Sequence, residues 1–141
     1  MSTNIVNRFF TLPHALETVF ANTSGRSWST ALQNANLLTQ LSSQRMVTIF
    51  AVQDSVIDPA NLPGSADLTR LIYEGLSYTP ELTDGSCITT RGGGSLRITR
   101  QGNDILVNGV RISTPNVISK NGVIHYLEQV CYTFSTLALL Y

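Results

Sequence analysis

Charge is scarce in this sequence. Nine basic and nine acidic residues make up 13% of the 141, and the formal net charge is zero. Ordinary soluble domains carry about 25% charged residues. A general nucleic-acid or polyanion binder needs a basic excess to displace counterions, so no nucleic-acid partner is expected. The polar surface must come from Ser, Thr, Asn and Gln, a composition common on extracellular proteins.

Cysteine and histidine are equally sparse. Cys87 and Cys131 are too few for a disulfide framework. They form either one bridge or two buried thiols, and we take the second as the expectation because free cysteine is among the most buried residue types. The histidines are His14 and His125, with no H-E-x-x-H or C-x-x-C spacing beside them, so no metal site is expected. A G-x-S-x-G nucleophile elbow is also missing. No apolar run approaches the ~20 residues of a membrane span. Residues 1 to 8 lack the apolar core of a leader. The chain is therefore expected to be cytoplasmic, or extracellular or at the cell surface if a leader has been removed. The apolar end, residues 130 to 141, reads as a last strand plus tail or as the start of a longer hydrophobic segment.

A chain of this length makes one domain with a proper core. Residues 4 to 21 show interrupted helical spacing, with Pro13 in a first turn that Thr11 caps. Asn22-Thr23-Ser24 is a glycosylation sequon, usable if the chain is secreted. A second helix is predicted from Ser27 or Ser29 to Leu41, because Trp28, Leu32, Ala35, Leu38 and Leu41 share one face. On that face Trp28 is a core anchor rather than a ligand platform.

Val47-Thr48-Ile49-Phe50-Ala51-Val52 is β-branched and apolar throughout, the pattern of a strand buried on both faces. Asp54 follows it, placed to cap the next element or to bond turn amides. Residues 66 to 76 are predicted as a short helix. Glu74 would then oppose the dipole at its C-terminus, solvated or held by an Arg or a ligand. Beyond Gly75 glycines recur, and short strands are predicted over 87–90, 95–100, 105–107, 110–113, 117–118 and 123–130. Asn108-Gly109 reads as a type I′ hairpin turn. Gly92-Gly93-Gly94 leads into a strand rather than a helix, so it is a hairpin loop and not a phosphate cradle. Asn121-Gly122 is a turn signal opening the apolar strand Val123-Ile124-His125-Tyr126-Leu127. His125 within it is either a buried neutral imidazole with both nitrogens bonded or a general base in a pocket, and the first is the expectation. Helices precede strands, so the class is α+β.

The residues 47–55 and 121–127 resemble the two conserved boxes of the fasciclin domain family, an adhesion-type module. The first box has the form T-[IV]-F-A running to P-T-D, and the second N-G-[VI]-[IV]-H-x-[IL]-D. Gly94-Ser95-Leu96, Val107 to Ile112 and Thr114-Pro115-Asn116-Val117 fit between them, so the likeness runs from about Trp28 to Val130. The sequence departs from the pattern where Val52-Gln53 replaces Pro-Thr, Ile57 replaces Phe and Glu128 replaces Asp. Tyr73-Glu74 stands where the family has Tyr-His, a pair linked to adhesion. The resemblance implies one domain over residues 1–141, a β-sandwich or wedge of two sheets with N-terminal helices packed over one end. It also implies no cofactor.

Two functions are expected from different classes. The first is a non-enzymatic binding or adhesion module meeting a protein or lipid-like partner through an apolar patch at Tyr73, Glu74 and Leu76. Asp54, His125, Asn121 and Gly122 would then be structural. The alternative is an accessory protein or small pathway enzyme that binds a hydrophobic small molecule and helps cyclise or couple it. Its acid and base groups would be Glu74, His125, Asp54 and Tyr73, with Arg91 stabilising an anion. A closed pocket lined by Glu74 or His125 would favour the second.

Overall fold

The computed structural model describes residues 15–42, 46–60, 62–120 and 122–129. Residues 4–14, with Thr11, Pro13 and His14, lie outside them, as do Asn121 and Cys131.

Three helices open the chain: α1 (Leu16–Asn22), α2 (Arg26–Asn34) and α3 (Leu38–Ser42). The single long helix predicted from residue 27 or 29 to Leu41 is in fact broken. Asn36 adopts a left-handed backbone (φ 59°), and the Leu37 amide reaches back to the Leu32 carbonyl at 2.8 Å, which closes α2 as a Schellman-type end. The predicted apolar face survives the break. Trp28, Leu32, Leu38 and Leu41 are all buried in the core and Ala35 packs against it.

The remainder is mostly sheet. The strands are β1 (Val47–Val52), β2 (Ile72–Tyr73), β3 (Cys87–Thr89), β4 (Ser95–Gln101), β5 (Asp104–Val107), β6 (Val110–Ser119) and β7 (Gly122–Leu127), with a short helix α4 (Ser65–Thr69) before β2. They form one hydrogen-bonded order, β2-β1-β7-β6-β5-β4-β3. The two layers implied by the resemblance are thus not separate hydrogen-bonded sheets. The ends of the order meet. Just past β3, the Arg91 amide donates to the Ile72 carbonyl of β2 at 2.8 Å, and the Gly92 amide donates to Thr69 at 2.9 Å. Gly92 is glycine because a Cβ there would press on Thr69 Oγ1 and the Arg70 backbone. The triple glycine is therefore a hairpin loop that also closes the sheet.

At the centre, β1 and β7 pair in parallel from Val47 opposite Gly122 to Val52 opposite Leu127, and every residue of both is buried. Parallel neighbours share a face, so the pair has two distinct sides. Ile49 and Tyr126 lie on opposite sides from Phe50 and His125. The Tyr126 side meets the helices. Thr23 spends its hydroxyl proton on the Val19 carbonyl (2.6 Å), so the Tyr126 hydroxyl, 2.5 Å away, donates to Thr23 Oγ1. Burial raises the phenol above its ordinary range, with nearby Asp54 adding to the effect and the Thr23 bond offsetting part of it.

Several expectations are corrected. The helix predicted over 66–76 stops at Thr69, and Ile72–Tyr73 pairs with Thr48 and Ile49 as an edge strand. Ile72 is β-branched and its carbonyl is claimed by Arg91, so tertiary bonding overrides local helix propensity. The strands predicted over 110–113 and 117–118 are one strand carrying two register shifts around Thr114. Cys87 is not buried. It is an exposed free thiol on the end strand β3, whose pattern puts Ile88 inward and its neighbours outward. Gly122 does not take a positive φ. It is glycine because a Cβ would collide with the Val47 carbonyl across the ladder. The Asn108–Gly109 turn is as predicted, with φ 49° and 85°.

Candidate functional site

The segment from Tyr73 to Thr79 leaves the sheet edge and crosses the His125 side of the central strands. Its backbone is fixed at several points. The Thr48 hydroxyl donates to the Gly75 carbonyl at 2.7 Å and accepts the Ser77 amide at 2.9 Å. His125 holds the same residue from the next strand, with Nε2 2.7 Å from the Ser77 carbonyl. Asn116 brackets Thr79: its Oδ1 accepts the Thr79 amide at 3.0 Å and its Nδ2 donates to Thr79 Oγ1 at 2.9 Å. Asn116 occupies the left-handed region (φ 57°) within the irregular part of β6, a conformation Asn tolerates.

These bonds assign the state of His125. The Asn116 amide donates to Nδ1 at 3.1 Å, so Nδ1 is unprotonated. The neutral ring carries its proton on Nε2 and donates it to Ser77. The side chain is fully buried. Burial holds the imidazole below its ordinary value, and the Ser77 bond opposes this only in part. Both nitrogens are engaged, as the structural reading of His125 requires, and no lone pair remains for proton abstraction.

Glu74 lies beyond β2, not at a helix end, and pairs with Arg91 at 2.8 Å across the seam that closes the sheet. The Glu74 side chain is 55% exposed and that of Arg91 17%. Glu74 is thus both exposed and paired with an arginine, and the helix-end setting expected for it is replaced by the end of a strand. Tyr73 and Leu76 flank it, half-buried. Asp54 lies at the other end of β1. Its Oδ1 accepts the Ser27 amide at 2.8 Å and so caps α2, a helix distant in sequence, rather than its own turn. The acid and base candidates therefore fall in three places. Glu74 and Arg91 are together at the seam, with Tyr73 beside them; His125 is sealed in the core; Asp54 is at the far end. Asn22 is exposed at the end of α1.

Thr48, Ser77, Thr79 and Asn116 are the positioning residues that sequence reading did not single out. Thr48 and Asn116 left a trace only as members of the segments that resemble the family pattern.

One row of the sheet underlies this site. Tyr73 stands opposite Thr48, Thr48 opposite Val123, and Val123 opposite Ile118. Ile118 is 56% exposed, and Met46, at the head of β1, is 55% exposed. The sheet end that carries Tyr73 and Glu74 thus also carries two large exposed apolar side chains. Among the described residues, no group of three or more His, Cys, Asp or Glu could hold a metal ion, and no helix is long and apolar enough to cross a membrane.

A family model, the Fasciclin domain, matches residues 25–133. A solved structure described as a FAS1 domain pair from the insect cell adhesion molecule Fasciclin I is similar with a TM-score of 0.61 at 15% identity. The likeness covers 80% of this chain and 46% of that one, so the chain spans about half of that two-domain structure. Comparison with curated proteins finds no match.

Proposed function

Because the chain belongs to the fasciclin domain family, we propose that it is a non-enzymatic adhesion-type module that meets a protein partner through the sheet end carrying Tyr73, Glu74 and Leu76. The observation that carries this reading is the exposure of Met46 and Ile118 on the same end of the sheet. Large apolar side chains exposed together are the usual mark of an interaction surface. The clamped backbone of residues 75–79 supports it further, since a pre-ordered surface loses little entropy on binding. The solved relative is named as a cell adhesion molecule, and a cell-surface or extracellular setting suits the exposed sequon at Asn22. Glu74 in place of the family's His gives the surface an acidic, arginine-tethered group, so its partner differs in charge from those of Tyr-His members.

The alternative, binding and transforming a hydrophobic small molecule, needs a pocket at Glu74 or His125. His125 has both nitrogens occupied, which leaves it no lone pair for that chemistry.

The test is adhesion of cells or of partner-coated beads to the immobilised full chain. Ile118→Asp should abolish adhesion while leaving the thermal melt intact, and Tyr73→Ala should abolish it with a lower melting temperature, because Tyr73 packs against the core. Unchanged adhesion by both variants would remove this surface from the account.

A further inference from the structure

Beyond the C-terminal ends of β1 and β7, at the opposite end from Tyr73, lies an open groove of about 370 Å³. Gln53, Ser55, Val56, Ser113, Leu127 and Glu128 line it. Val56 is 51% exposed and Leu127 is buried, so the groove has an apolar wall and floor.

Three of its residues present acceptors, beside the exposed Ser55 hydroxyl. Gln53 Nε2 donates to the Thr23 carbonyl at 3.0 Å. A carbonyl can only accept, which fixes the amide's orientation and leaves Gln53 Oε1 without a partner among the described residues. The Ser113 hydroxyl gives its one proton to the Tyr126 carbonyl at 3.3 Å and keeps its lone pairs. Glu128 offers a carboxylate. Its counter-ion is Arg111, which also bonds Asp104 at 3.0 Å, so one guanidinium serves two carboxylates. Acceptors with a net negative charge therefore stand over apolar surface.

We propose that this groove binds a primary ammonium carried on a short alkyl stem. An ammonium has three donors and no acceptor, the complement of Gln53 Oε1, Ser113 Oγ and the Glu128 carboxylate. The stem lies along Val56 and Leu127 and removes their surface from water. An anion would be repelled by the Glu128 carboxylate, and a neutral alkyl group would leave the acceptors unpaired. A free alkylamine and a lysine side chain share this chemistry. The groove is separate from the surface around Tyr73, so neither reading depends on the other.

The experiment uses the full chain, labelled with ¹⁵N, at fixed ionic strength. n-Butylammonium chloride, n-butanol and sodium butyrate are titrated in parallel, and an acetylated lysine amide is the fourth probe. The ammonium probes should give saturable amide shifts confined to residues 53–56, 113 and 127–128. Butanol should bind at least about tenfold more weakly and butyrate not at all, as expected when a charge-assisted bond is lost. Whichever ammonium probe binds tighter assigns the source. Glu128→Gln should weaken binding about tenfold, and Arg111→Gln, which removes the internal competitor, should tighten it. Both replace exposed side chains, and their amide spectra report folding directly. No saturable shift, equal binding of butanol and butylammonium, or an unchanged affinity in Glu128→Gln would overturn the proposal.

Discussion

Phe50 and His125 stand opposite one another in the parallel ladder, and their rings stack with centroids 5.6 Å apart and planes 27° from parallel. The imidazole thus packs as an aromatic on one side and bonds as a polar linker at its edge. His125→Ala removes both roles. It leaves a cavity beside Phe50 and orphans the Asn116 amide and the Ser77 carbonyl. A loss of about 2–4 kcal/mol is expected in chemical denaturation. His125→Phe restores the packing alone and should recover only part of it.

Stability should depend on pH through the same residue. In the unfolded chain a histidine titrates near about 6.5. In the fold, burial lowers that value. Between the two values the unfolded chain binds more protons, so stability rises with pH across that interval. The melting temperature should be level above about pH 6.5 with respect to this group and fall as pH drops through 6.5 toward the folded-state value. Melts of His125→Gln over the same range should show a shallower slope, because His14 and the carboxylates are common to both proteins.

Gly122→Ala tests the ladder contact. The obstructing atom is the Val47 backbone carbonyl, which cannot rotate away. A cost of about 3 kcal/mol or more is expected, because β1 must shift relative to β7. Gly64→Ala meets nothing within 4 Å and should be nearly neutral in the same denaturation assay.

The Glu74–Arg91 pair should matter more for recognition than for folding. Glu74 is more than half exposed, so Glu74→Ala should change stability by less than about 1 kcal/mol. Arg91→Ala should cost more, since its largely buried stem packs at the seam. Paired melts of the two variants check the order.

The sequence made the central strands legible because both are apolar, β-branched and of strand length, and no competing period disturbs them. The Asn108–Gly109 hairpin was equally plain, since its backbone demands those residues. What stayed hidden was set by distant partners. Asp54 looked like a local cap but serves α2, because the chain brings Ser27 back over the end of β1. Ile72–Tyr73 followed a helical pattern yet is held extended by Thr48, Ile49 and Arg91. At Gly122 the requirement for glycine lies in the Val47 carbonyl across the ladder and not in a turn angle, which local sequence does not reveal. The exposure of Cys87 followed from strand phase, which composition does not reveal. Of the candidate site, the resemblance points to Tyr73 and Glu74 and the apolar pattern to Leu76, whereas the bonds that fix residues 75–79 beside them, from Thr48, Asn116 and His125, come from strands far away in sequence.

The role of His125 as a neutral link between β6 and the segment beneath the candidate surface is best tested by long-range ¹H–¹⁵N NMR of its ring at neutral pH. The account predicts a single Nε2–H tautomer, an unprotonated Nδ1, and titration only below the ordinary histidine range. A ring protonated on Nδ1, or one that titrates at or above about 6.5, would contradict it.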